Sequence, residues 1–349
     1  MIKSTAIVLS PILILFMIMI PGTISAQSFD QPVEYMQYIN ESFDALRKDT
    51  WAYVKVASSG KNARKVEKRR INLINELNTQ GKRVNSMPGY NGNTEYRDQV
   101  VEYLNLAHIV INEDYGKILN MEEIAEESYD AMEAYLLAKE RANDKMNEAE
   151  NLLNESQKIF AAANNIRLLE AEEDKLSRKI NQASKVIRYY NQIYLIFFKV
   201  YKEEAYFLAA TSEANVGAME QHRKSILSLV KEAKSSLDTI PSYQRDGSIK
   251  TGCFKMLNFY QSEATVHFPK LTDFYLKKEE FETVNKAFNS MKKVQKTQQV
   301  VDNFNKAVNA YNASINAFNK TNDLTFKTRS KNLNGWNKTI KGFMDRNMP

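Results

Sequence analysis

Residues 301–318 read VDNFNKAVNAYNASINAF, and their apolar side chains recur at alternating steps of three and four. Such spacing lines side chains up along one side of an α-helix, which has 3.6 residues per turn. A second apolar set at helical spacing runs from Val66 to Val84 in the first half of the chain. The members of the stripe in residues 301–318 are Val301, Phe304, Val308, Tyr311, Ile315 and Phe318. The sequence therefore predicts long helices that each bury one side.

Turn-forming residues are scarce along the whole chain. Its 349 residues include only 11 Gly and 7 Pro, too few for the many turns of an all-β fold. No segment shows the strict apolar–polar alternation that is typical of a strand. We expect an all-α protein whose long helices pack as antiparallel bundles with coiled-coil character.

Two Pro-x-Tyr loops indicate an internal repeat. Pro241 lies 153 positions after Pro88, and Tyr243 lies at the same distance from Tyr90. Two amphipathic stretches always share some apolar positions, so the loop set between helices in one register is the specific signal. Further matches at this offset include Glu67 with Glu220 and Arg70 with Arg223. The sequence predicts two tandem, duplicated bundles over residues 27–165 and 166–322.

The first 26 residues have the pattern of a signal peptide. Lys3 precedes an apolar run over residues 6–20, and the segment ends on Ile24, Ser25 and Ala26. An uncleaved membrane anchor is the alternative, because the run approaches the roughly 20 residues that span a bilayer. No cysteine follows to accept a lipid. We expect an exported, non-lipidated protein of the periplasm, the cell surface or the medium.

The C-terminal tail, residues 323–349, is basic and contains the aromatic residues Trp336 and Phe343. Two interpretations stay open. The tail could form a basic amphipathic helix that contacts an anionic membrane surface. The favoured interpretation packs both aromatic side chains on the bundle and leaves the lysines in water. The cations of the tail are Lys327, Arg329, Lys331, Lys338, Lys341 and Arg346.

Neither a catalytic group nor a cofactor motif is recognisable. The single cysteine, Cys253, lies 14 positions before His267, roughly 21 Å along a helix, so the two cannot pair within one. Glu263 and His267 are four positions apart and could share one helical face as metal ligands. Their counterparts at the 153-residue offset, Val110 and Asp114, do not repeat the pair. We predict no catalytic residues and no cofactor. Glu263 and His267 are candidate metal ligands, although an ordinary surface carboxylate–imidazole pair is the favoured interpretation.

Two charged segments are the candidates for binding a partner. Ion pairing between them inside one bundle is the alternative, and it would be weak if exposed. Nucleic acid is not expected as the partner, because the chain is predicted to be exported and stacking aromatic residues are absent near the basic segment. The basic segment contains Lys61, Arg64, Lys65, Lys68, Arg69 and Arg70. The acidic segment contains Glu122, Glu123, Glu126 and Glu127.

A row of asparagines lies one position beside the apolar stripe of residues 301–318. Asparagine is a mediocre helix former, so its repetition in a helix is unusual. The row could hydrogen-bond a partner helix, although a solvated flank is the favoured interpretation. Its members are Asn305, Asn309, Asn312, Asn316 and Asn319.

The first half also resembles an uncharacterised family of exported helical proteins of Gram-negative bacteria, some of them labelled surface proteins. The resemblance covers mainly residues 33–160. It rests on GKNARKVEKRR at residues 60–70, YRDQVVEYLN at 96–105, NEDY at 112–115 and MEEIAEESYDAMEAY at 121–135. It implies export and a helical fold, and it supplies no activity or site residues.

These observations predict a non-catalytic helical protein of the cell envelope or surface. Its partner would be another envelope or extracellular macromolecule. The alternative is a helical protein, or an enzyme, that binds a metal or a small ligand at a site between the two bundles, where pockets often form.

Overall fold

A computed structural model describes residues 29–57, 63–116, 124–168 and 174–349. The predicted signal peptide lies outside these residues, as do Lys61, Glu122 and Glu123. Over the described residues the chain is almost wholly helical and forms no strand, apart from two isolated bridges. The expected all-α class is therefore confirmed.

Helices of 15 to 50 residues follow one another along the chain. They are α1 (Pro32–Ala57), α2 (Ala63–Asn85), α3 (Glu95–Ile109), α4 (Tyr129–Ala163), α5 (Lys175–Ser212), α6 (Val216–Thr239), α7 (Ser248–Ser262), α8 (Phe268–Ser290) and α9 (Gln298–Asn347). Two π-helical segments, Val110–Asp114 and Glu263–His267, continue α3 and α7. A 3₁₀ turn, Lys293–Gln295, lies between α8 and α9.

The chain divides into two compact units. Unit 1 comprises the described residues up to Asn191 together with Met344–Pro349, and unit 2 comprises Gln192–Phe343. The division therefore falls inside α5 near one end of unit 2 and inside α9 near the other.

Unit 1 has an apolar core that its first four helices share. Along the chain, α1 packs on α2, α2 on α3, and α3 on α4. Phe43 and Leu153 are fully buried, and burying a side chain of this size contributes roughly 1.5–3 kcal/mol. At one end of this core the ring of Phe160 stacks on Tyr35 at 5.4 Å and lies 5.1 Å from Tyr96. These aromatic contacts hold the C-terminal end of α4 against α1 and α3.

Unit 2 buries a comparable set of aromatic side chains. The rings of Phe207 and Phe268 are parallel and 3.7 Å apart, and Trp336 lies 4.9 Å from Phe197. Phe343 is fully buried against Tyr243. Trp336 and Phe343 of the basic tail thus pack inside the unit, whereas Phe326 is 66% exposed, and the lysines of the tail are exposed on α9. This arrangement is the one that the favoured interpretation of the tail describes.

Element bounds recur at the offset of the two Pro-x-Tyr loops. α3 and its π-helical continuation begin and end 153 positions before α7 and its continuation. The bridge Tyr90–Asn93 likewise has a counterpart in Tyr243–Asp246. Both bridges enclose two residues with positive φ, as in type I′ turns.

The two π-helical segments are held by the same kind of contact. Arg70 donates to the main-chain oxygens of Ile111 and Asn112 at 3.0 and 3.2 Å, and Arg223 donates to the oxygen of Ala264 at 3.3 Å. A π-helical turn interrupts the regular i→i+4 hydrogen bonds, so its carbonyl groups accept from outside the helix. In turn, Glu67 holds the Arg70 guanidinium at 2.8 Å, and this hydrogen bond lowers the pKa of Glu67.

Candidate functional site

A hairpin of α8 and α9 forms an element that we call the arm, residues 274–318. Three pairs of rings join its two helical segments, and their order shows that the segments run in opposite directions. The apolar stripe of residues 304–318 supplies one side of this seam. The pairs are Phe274 with Phe318 at 4.5 Å, Phe281 with Tyr311 at 4.9 Å, and Phe288 with Phe304 at 4.2 Å.

The arm packs on itself and contributes almost nothing to the core of unit 2. No residue between Thr272 and Ser314 is buried, although the seam rings are half-buried. Stacked aromatic pairs contribute about 0.5–1.5 kcal/mol each beyond the area that they bury. The seam therefore explains how the arm keeps its shape, while its outer faces, including the asparagine row, are exposed.

The arm tip, residues 286–297, is positively charged, whereas the rest of the arm carries charges of both signs. Four lysines lie between residues 283 and 301 without any acidic residue. Val294 on the 3₁₀ turn is 86% exposed. The Lys296 ammonium lies 4.2 Å from the centre of the Phe288 ring. The acidic residues of the α8 segment, Glu279, Glu280 and Glu282, precede the tip.

A second feature of unit 2 is a buried triad of Glu204, Glu263 and Arg329. The Arg329 Nε donates to Glu204 Oε1 at 2.5 Å, and Nη2 donates to Glu263 Oε1 at 3.0 Å. Both carboxyl groups are 1% exposed. One guanidinium thus faces two carboxyl groups that water does not reach.

The triad favours a retained proton. Burial, together with the neighbouring Glu204, raises the pKa of Glu263 to about 10. Its Oε2 is buried and has no hydrogen-bond partner among the residues that the structure describes. A protonated Glu263 reduces the buried charge that Arg329 has to balance. A neutral group is much less costly to bury than an unpaired charge.

The candidate metal ligands lie at the two ends of the π-helical segment Glu263–His267. Glu263 is only 1% exposed, so the favoured interpretation of an ordinary surface pair is wrong. Among the described residues no hydrogen bond or ion pair joins them, and Glu263 is engaged by Arg329. Burial and the nearby Lys270 lower the pKa of His267. A metal ion would have to displace Arg329 from Glu263, and metal binding by this pair stays a prediction. In the described part of the chain, no three His, Cys, Asp or Glu side chains are grouped as metal ligands.

The predicted partner segments are partly described. Arg64, Lys65, Lys68 and Arg69 are exposed on the first two turns of α2. Arg70 is half-buried, because it supports the first π-helical segment as described above. Of the acidic segment, Glu126 is half-buried and Glu127 is exposed. Partner binding by these segments stays a prediction.

Cys253 is fully buried in α7, and burial raises the pKa of its thiol to about 12. A thiol with such a pKa is uncharged at neutral pH and is a poor nucleophile. The side chain acts as a small apolar group of the core.

Unit 1 contains an open groove of about 350 Å³ between α3 and α4. Two apolar side chains on it, Ile109 and Leu152, are 45% and 55% exposed. Lys145 also lines the groove and pairs with Asp114 at 2.7 Å. The other lining residues are Gln99, Glu102, Tyr103, Asn105, Leu106, Glu148 and Ala149.

Sequence reasoning missed the buried triad and the arm tip. Glu204 and Glu263 stand among polar residues, where a carboxylate is normally exposed, so their burial has no sequence signal. Arg329 was counted with the cations of the tail. For the arm, a signal existed: Phe274, Phe281 and Phe288 recur every seven residues, as do their partners.

No helix of the described segments is both long and apolar enough to cross a bilayer. Comparison with protein families, characterised proteins and solved structures finds no match for this chain.

Proposed function

We propose that this chain is an exported, non-catalytic helical protein of the cell envelope or surface that binds another macromolecule through the arm. The arm carries this proposal. It is a long, aromatic-stacked element whose residues between Thr272 and Ser314 are all at least partly exposed. The core does not require the arm, yet six aromatic side chains keep it in shape. Such an element is suited to presenting a surface to a partner.

The proposed export rests on the leader and on the sequence resemblance. Residues 1–26 combine a positive start, an apolar run and a small-residue ending. Membership of the family of exported helical proteins that the first half resembles is part of the same proposal. It accords with the all-α fold.

We further propose that the two units descend from a duplicated bundle. The shared offset of 153 positions supports this origin at three levels: the Pro-x-Tyr loops, the bounds of α3 and α7, and the arginines that hold the π-helical segments. On this proposal the arm is an addition to the second copy. The first copy has Tyr129–Ala163 where the second has the arm and the rest of α9.

Site-specific cross-linking in intact cells tests the proposed role of the arm. A photo-reactive amino acid is placed at Asn312 on the arm and, as the matched control, at Glu140 on α4. Both positions are exposed on helices. We expect a defined cross-linked partner from Asn312 and none from Glu140. Equal cross-linking from both positions, or none from Asn312, would exclude the arm as the binding element.

The groove of unit 1 favours a second candidate function, the binding of a small ligand. Its volume of about 350 Å³ lies at the lower end of the range for small-molecule sites, and exposed apolar side chains lie beside acidic and amide groups. A screen of small ligands by thermal shift, repeated with Leu152→Lys, tests this candidate. A ligand that stabilises the wild type but not the variant would support it.

A further inference from the structure

The arm tip concentrates positive charge around an apolar residue. Lys286, Lys292 and Lys293 are exposed, and Val294 is the most exposed large apolar side chain of the described residues, at 86%. A valine in water between lysines does nothing for the core of unit 2. Isolated apolar residues on a surface are common, but here the valine occupies the turn of a hairpin between the exposed residues Lys293 and Gln295.

The tip has a defined shape and its charge is not neutralised. The Lys292 main-chain nitrogen donates to Gln295 Oε1 at 2.8 Å, and the Gln295 nitrogen returns a bond to the Lys292 oxygen at 2.9 Å. These bonds close the turn that presents Val294. Within the described residues, the ion pairs of the arm lie back along α8, at Lys277–Glu280 and Lys278–Glu282.

The side-chain chemistry of the tip discriminates among partners. Protein interfaces are enriched in aromatic residues and arginine and depleted in lysine, whereas the tip has four lysines and no arginine. Single-stranded nucleic acid stacks on aromatic faces, and Lys296 covers the Phe288 ring. A bilayer with anionic headgroups attracts lysines, whose long stems extend along an apolar boundary while the ammonium stays in water. It also accepts a shallow apolar residue.

We propose that the arm tip binds an anionic lipid surface, with Val294 entering the headgroup region and the surrounding lysines meeting lipid phosphates. This inference rests on the proposed role of the arm as the binding element and adds a lipid surface, contacted by the tip, to the macromolecule that the arm binds. The attraction is electrostatic in the main, so it weakens as salt increases. Each lysine near such a surface strengthens binding about fivefold.

Vesicle flotation with the full chain tests the proposal. The probes are vesicles of phosphatidylcholine alone and of phosphatidylcholine mixed with phosphatidylglycerol. Lys292→Glu with Lys293→Glu reverses the charge of the tip, and Val294→Asp removes its apolar residue. Lys306→Glu with Lys320→Glu is the matched control, because both lysines are exposed on α9 away from the tip. Circular dichroism checks that every variant folds.

We expect the wild type and the control to bind the mixed vesicles and not phosphatidylcholine alone. The tip double variant should bind at least twentyfold more weakly, and Val294→Asp should also lose binding. No binding by the wild type, or an equal loss in the control, would overturn the lipid proposal. If the Asn312 cross-link to a protein persists in that case, the arm is still the binding element and its partner is an acidic protein instead. Loss of that cross-link as well would end both proposals.

Discussion

Units 1 and 2 share two local structural features, but the side chains around these features differ. Both have a positive-φ turn after a Pro-x-Tyr loop, and both hold a π-helical segment with an arginine from the preceding helix. At the start of that segment unit 1 places Val110, which is fully buried among apolar groups, and unit 2 places Glu263. The 153-residue counterpart of Glu204 is Trp51. The helical framework around the π-helical segment is held by contacts to the main chain. It therefore accommodates either an apolar or an ionisable side chain at the start of that segment.

Burying ionisable side chains, as unit 2 does, costs free energy that burying apolar side chains, as unit 1 does, does not. Buried charges stabilise a fold only when each has a partner, and a buried pair is often no better than apolar side chains of similar size. Unit 2 meets this condition with one arginine for two carboxyl groups and one retained proton. Four experiments test this difference between the units, and each unit contains a tryptophan as a probe. Trp51 lies in unit 1 and Trp336 in unit 2.

Removing the cation should have the largest effect. Arg329→Leu removes the cation that faces the buried carboxyl groups of Glu204 and Glu263, and we expect unit 2 to lose about 3–5 kcal/mol of its free energy of unfolding. Urea unfolding followed by Trp336 fluorescence in a Trp51→Phe background measures this loss. Lys331→Leu, at an exposed position two residues along α9, is the control and should change stability little. A loss no greater than that of the control would mean that the triad does not stabilise unit 2.

The retained proton predicts a pH dependence that the apolar counterpart in unit 1 does not have. The pKa of Glu263 is about 10 in the folded protein against an ordinary value of 4.5, so the folded state binds a proton that the unfolded chain releases. Stability from this group is present in full below pH 4.5 and falls as the pH rises toward 10, by at most about 1.4 kcal/mol per pH unit. Glu263→Gln keeps a neutral group of the same shape.

We therefore expect the stability of unit 2 to depend less on pH in Glu263→Gln than in the wild type. The free energy of unfolding of Glu263→Gln minus that of the wild type, measured by urea unfolding, should increase from pH 6 to pH 9. Parallel curves for the two proteins would contradict the retained proton.

Exchanging the turns should have a smaller effect. Unit 1 places Asn91 and Gly92 at the positive-φ positions, whereas unit 2 places Gln244 and Arg245 there, at φ of 43° and 72°. Asn-Gly is the preferred pair for such turns, because other side chains are strained by about 1 kcal/mol in this conformation. Gln244→Asn with Arg245→Gly should stabilise unit 2 by about 1 kcal/mol.

The reverse exchange, Asn91→Gln with Gly92→Arg, should destabilise unit 1 by a similar amount. Each effect is measured as the shift in the unfolding midpoint reported by the tryptophan of that unit. If neither exchange shifts the midpoint of its unit, the two turns are not under the strain that their φ values indicate.

The sequence predicts the regular parts of this fold and misses the irregular ones for physical reasons. The stripe of residues 301–318 predicts a buried helical seam because apolar side chains repeat with the turn of a helix. Its partner could have been found from the seven-residue spacing of Phe274, Phe281 and Phe288. Nothing in the sequence marks the π-helical segments, because they depend on acceptors that Arg70 and Arg223 satisfy from another helix.

The candidate sites are harder to predict than the fold. The burial of Glu263 depends on residues 59 positions before it and 66 after it, which no local pattern connects. The tip, in contrast, can be identified from the sequence once the hairpin is known, since Lys292, Lys293 and Val294 are neighbours in the chain. What the sequence lacks is the information that residues 291–297 form the turn between two antiparallel segments.

The central claim is that the arm is an addition to a framework that folds without it. Replacing residues 281–311 with a short glycine-rich linker keeps the ring pair of Phe274 and Phe318 and removes the tip. The free energy of unfolding of unit 2, measured with urea by Trp336 fluorescence, tests the claim directly. We predict a change within about 1 kcal/mol, because none of the removed residues is buried. A loss of about 3 kcal/mol or more would show that the arm is part of the folding unit and would contradict the account.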